Sequence, residues 1–170
     1  MKNLIMAALC IAMAGCASTP GSVMEKVQYD FGLGEKPEGY VTGADRVMQA
    51  LPKVAESEMK RLNTAQRHGS VKFQEEGTLR GQYYKEAKVY ERYFVLDARA
   101  TPRGSQDEIA FNGYVDYAYR IYESERKNTR SEAEAASANI STDVTGRDSF
   151  TYDFSGGGVW NGRPGEPAKN

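Results

Sequence analysis

The sequence is poor in the residues that most often carry chemistry: in 170 positions it has two cysteines, one histidine and one tryptophan. Cys10, Cys16 and His68 leave too few ligands for a Cys/His zinc site, and a Cys–His nucleophile would need a free thiol in the folded part. Charge of one sign is lacking too. Lys and Arg number 22 against 23 Asp and Glu, whereas a nucleic-acid binder normally shows a basic excess. After the first 16 residues no apolar run approaches the ~20 residues of a spanning helix. Catalytic spacings are missing as well. No Gly-x-Ser-x-Gly is present, and Gly156-Gly157-Gly158 lacks the following lysine and helix of a phosphate loop. Asp143, Asp148 and Asp153 stand five apart, where a calcium loop needs acidic positions every second residue, so they read as solvated hairpin charges. No cofactor and no metal are expected.

What is present begins at the N-terminus. Lys2 precedes an apolar stretch from Leu4 to Ala14, and Met13-Ala14-Gly15-Cys16 closes it. A short basic start, an apolar core too short to span and small residues at its end make a secretory signal over residues 1–15. Met13-Ala14-Gly15-Cys16 resembles the lipobox of bacterial lipoproteins, with Met13 where the family usually has leucine. That resemblance implies cleavage before Cys16, acylation of its sulfur and of the new amino terminus, and an outer-membrane address facing the periplasm. More than one acyl chain makes such an anchor firm; a single chain holds only marginally.

Residues 16–42 read as a lipidated, flexible tether, rich in small and turn-forming residues (Ser18, Pro20, Gly21, Gly32, Gly34, Pro37). A single folded domain is expected over residues 43–160, with a disordered tail at 161–170 containing Pro164 and Pro167. The domain opens with a helix. Thr42 and Asp45 have near-capping-box spacing, and Val47, Met48, Leu51, Val54, Ala55, Met59 and Leu62 recur at three- and four-residue steps. Glu56 and Lys60 pair one turn apart on the wet side. Pro52 predicts a kink, or a division into two helices.

Beyond Gly69 the period becomes two. Strands are expected at about 71–80, 82–99, 107–126, 129–144 and 148–160. Residues 129–139 are alanine- and glutamate-rich, which favours helix; a hairpin at Lys127-Asn128 argues for strand instead. The fold class is therefore α+β: a kinked N-terminal helix on a curved antiparallel sheet of about four to five strands. This element order is similar to the cystatin-like and nuclear-transport-factor-type rolls.

The functional reading rests on tyrosine. Most of the 11 tyrosines lie from Tyr83 to Tyr152. Ile109, Phe111, Val115, Tyr117, Tyr119 and Ile121 share one parity. Tyr114, Asp116, Arg120 and Tyr122 share the other, a possible binding face if it is open. Cross-strand packing is the alternative role for these rings. The expected function is a non-enzymatic binding or structural role in the envelope, with the membrane reached through Cys16 and an envelope protein as partner. A second reading is a carrier of small hydrophobic ligands, its pocket between helix and sheet lined by Met48, Met59, Phe111 and Tyr119. Catalysis would need His68 or Asp97 in a pocket.

Overall fold

The computed structural model describes residues 28–29, 39–76, 80–103 and 108–168. Cys16, the signal and most of the expected tether lie outside them. Helix α1, Gly43–Gln66, begins as its sequence requires: Thr42 Oγ1 accepts from Asp45 N at 3.0 Å, and Asp45 Oδ2 accepts from Thr42 N at 2.9 Å. The reciprocal pair satisfies two of the amides that a helix start leaves open. Val47, Leu51, Val54, Ala55 and Leu62 are buried on one stripe, and Lys60 meets Glu56 at 2.7 Å on the opposite side. The expected division at Pro52 does not occur. One helix of 24 residues runs through it, and no kink is shown. Pro52 is on the exposed side, so the Met48 carbonyl that loses its amide donor is within reach of water.

The sheet is a five-stranded antiparallel meander in the order β1-β2-β3-β4-β5. Its strands are β1 (Ser70–Glu76), β2 (Arg80–Arg103), β3 (Glu108–Glu123), β4 (Ile140–Phe154) and β5 (Glu166–Pro167). Phe111, Val115 and Tyr117 of β3, with Tyr90 of β2 and Tyr152 and Phe154 of β4, close over the apolar stripe of α1 as the core. The architecture is thus α+β, one long helix against an open antiparallel sheet.

Three expectations fail. Residues 129–139 do not form a strand. Helix α2, Arg130–Ala135, stands there with its own capping box between Thr129 and Glu132, and packs on β1 and β2. Lys127 forms no hairpin; its backbone exchanges hydrogen bonds with Tyr83 at 2.7 and 2.8 Å. The break expected between the strands at 129–144 and 148–160 does not occur; Gly146 lies inside β4, where it faces Tyr119 and the tyrosine hydroxyl fills the space a Cβ would take. Residues 161–168, expected as part of a tail, fold back onto the sheet. A turn at Ser155–Gly158, where Gly158 has φ 79, sends the chain back so that Trp160 bridges Phe154. The tail then adds β5 to the edge of β4, pairing Glu166 with Thr151 and Pro167 with Phe150.

Candidate functional site

Register places the expected face on the side of β3 away from α1. Tyr114, Asp116, Arg120 and Tyr122 alternate with the buried Val115 and Tyr117, and all four are half-buried. The face is only partly covered. Opposite it on β2, Phe94 is 38% exposed and Leu96 52%.

The four residues form two groups. A bulge between Tyr90 and Arg92 leaves Glu91 outside the ladder. Its Oε1 accepts from Tyr122 Oη at 2.9 Å and from Arg120 Nε at 3.2 Å. The Glu91 carboxylate holds the Tyr122 phenol above its ordinary pKa, chiefly through that hydrogen bond. Towards the other end, Asp116 Oδ1 accepts from Ser149 Oγ at 2.6 Å, with Arg147 Nη1 4.0 Å from Asp116 Oδ2. The Arg147 guanidinium lies 4.6 Å from the Phe94 ring centroid, and that of Arg99 lies 5.3 Å from the Tyr114 centroid. Tyr114 and Tyr122 are eight strand positions apart, about 26 Å at ~3.3 Å per residue. They frame the face rather than meet.

Tyr114 also lines a cleft of about 320 Å³ where the returning tail meets the sheet. Asn112, Thr151 and Asp153 line it from the sheet, and Arg163 and Glu166 from the tail. Asn112, with its amide nitrogen turned to Asp153, donates to Asp153 Oδ1 at 3.2 Å. Sequence reasoning missed this cleft because it assigned the tail to disorder.

Two polar clusters, one buried and one half-buried, were missed as well. Glu58, 3% exposed, accepts three hydrogen bonds from Arg61 at 2.9–3.1 Å and one from Gly165 N at 3.3 Å. On the same side of the sheet Asp148 Oδ2 accepts from Tyr90 Oη at 2.6 Å and from Lys88 Nζ at 2.8 Å. Burial, then the Asp148 carboxylate, push the Tyr90 phenol well up. Asp148 is therefore half-buried in a strand, not a hairpin charge.

The residues of the expected apolar pocket differ in burial. Phe111 is wholly buried in the packed core, Met48 is 38% exposed, and none of the three cavities described for the structure is lined by Met48, Met59, Phe111 or Tyr119. His68 is exposed just after α1, its Nε2 accepting from Arg67 Nε at 3.1 Å, and it lines a shallow depression with Glu86 and Lys88. Asp97 is held below the usual carboxylate range by Arg99, bonded at 2.8 Å, and by the Ala98 amide. The two do not share a cavity. Among the described residues no three His, Cys, Asp or Glu side chains gather as a metal site, and no helix is long and apolar enough to cross a membrane. Comparison with protein-family models, curated proteins and solved structures yields no match.

Proposed function

We propose that this chain is a lipid-anchored bacterial envelope protein that works by binding rather than catalysis, with its sheet face turned to an envelope protein. The lipobox-like Met13-Ala14-Gly15-Cys16 supports the anchor and an outer-membrane, periplasm-facing location. The observation that carries the binding role is the half-covered face of β3. There Tyr114, Tyr122 and the exposed Phe94 and Leu96 sit among Arg99, Arg120 and Arg147. Rigid aromatic rings beside arginine offer large contact area at small entropic cost. For the finer fold we infer a cystatin-like roll, supported by a long helix that precedes an antiparallel meander and packs on it.

The test is in-cell photo-crosslinking from positions 114 and 122, with recovery of the product repeated in Tyr114→Ser/Tyr122→Ser. A discrete product from both positions, with the same partner lost from the folded double variant, is expected. Unchanged recovery from that variant removes the face from the account.

A further inference from the structure

We propose that the cleft between the returning tail and the sheet binds a short neutral saccharide. This inference depends neither on the anchor nor on the protein contact proposed above.

The cleft exists because the tail folds back. Ala168 N donates to Ser149 O at 2.9 Å and β5 pairs with β4, fixing one wall against the other. Asn161 Oδ1 accepts from Arg163 N at 2.9 Å, which sets the loop carrying the arginine, and Pro164 restricts the backbone beside it. A wall ordered before binding lowers the entropic cost of capture.

Its lining selects the ligand class. At about 320 Å³ the cleft lies near the lower bound of the ~300–1,000 Å³ typical of small-molecule sites. Most such sites are largely apolar; in this one amide, carboxylate, hydroxyl and guanidinium groups outweigh one aromatic ring and the small apolar surfaces of Pro164, Pro167 and Ala168. An apolar ligand would bury those groups without partners. Of the lining side chains an anion would face Asp153 and Glu166 with Arg163 alone in its favour, since Arg99 beyond Tyr114 is paired with Asp97, and Arg163 opposes a small cation. Hydroxyls that both donate and accept match the set, since carboxylates accept, the guanidinium donates and the Thr151 hydroxyl can do either. Tyr114 supplies a flat apolar surface for the C–H face of a sugar ring.

The full-length chain, purified in a detergent without a sugar headgroup, is screened on an array of neutral, amino and acidic oligosaccharides. The saccharide bound is then titrated by calorimetry. A neutral saccharide is expected to bind. Its affinity should fall about tenfold or more (about 1.4 kcal/mol) in Tyr114→Ala and in Arg163→Ala, and stay unchanged in Lys53→Ala on the exposed side of α1. Arg163 is exposed, so its replacement leaves the fold intact if Tyr114→Ala does not. No saccharide bound, acidic saccharides only, or affinity unmoved by Arg163→Ala would each overturn the proposal.

Discussion

The hydroxyls of Tyr117 and Tyr152 lie 2.8 Å apart inside the core, and Tyr117 Oη also reaches Ala55 O of α1 at 3.3 Å. Tyr117 donates to the helix carbonyl, which leaves Tyr152 to donate to Tyr117. The two phenols thereby tie β3, β4 and α1 together at one point.

That direction makes the two phenylalanine variants unequal. Tyr117→Phe leaves a buried donor on Tyr152 without a partner and should cost about 1–3 kcal/mol; Tyr152→Phe removes only a donor and should cost about 1 kcal/mol. Because the residues share one bond, the double variant should cost less than the sum. Urea unfolding of the four proteins checks this.

The same pair gives an alkaline dependence. Burial raises both phenols, Tyr117 to about 12 and Tyr152 further still. Above about pH 10 the unfolded tyrosines release protons that the folded ones retain, so the unfolded state binds fewer and stability falls as pH rises. The Tyr117 contribution is complete below pH 10 and lost as pH climbs through 12. Stability measured from pH 8 to 11.5 should decline less steeply in Tyr117→Phe than in the parent, by up to about 1.4 kcal/mol per pH unit.

Pro52 in α1 should be a removable defect. Pro52→Ala restores an amide donor for Met48 O on an exposed face and raises helix propensity. Part of the gain is offset because alanine frees the unfolded chain. A stabilisation of about 1–2 kcal/mol in urea unfolding is expected; a loss would mean the helix depends on the proline.

The tail should depend on Glu58. Its carboxylate holds Gly165 N, and a Cβ on Gly165 would stand 2.7 Å from Tyr152 ring atoms. Glu58→Gln and Gly165→Ala should both loosen the tail while the sheet stays formed. Hydrogen exchange at residues 161–168 should rise in each, with β3 protection retained.

Local pattern carried much of the fold. The Thr42–Asp45 cap, the α1 stripe and the alternation in β3 each depend on neighbours in sequence, and each forms as its spacing predicts, except that Met48 of the stripe is left exposed. The failures share a cause. Gly146 breaks a strand pattern only until Tyr119 arrives from β3 to occupy its missing side chain. The tail looks structureless until the β4 edge and Glu58 receive it. Thr129 and Glu132 did carry a cap signal, outweighed by an expected hairpin that does not form. The site was half legible for the same reason. Parity put Tyr114, Asp116, Arg120 and Tyr122 on one face, whereas the Glu91 bulge that divides them is set by pairing between strands.

The central claim is attachment through Cys16, and the mass of the mature N-terminal peptide from membrane-purified protein tests it most directly. The account predicts a chain beginning at Cys16 with acyl groups on both sulfur and amine. An unmodified amino terminus, or a Cys16→Ser protein processed and kept in the membrane as before, would contradict it.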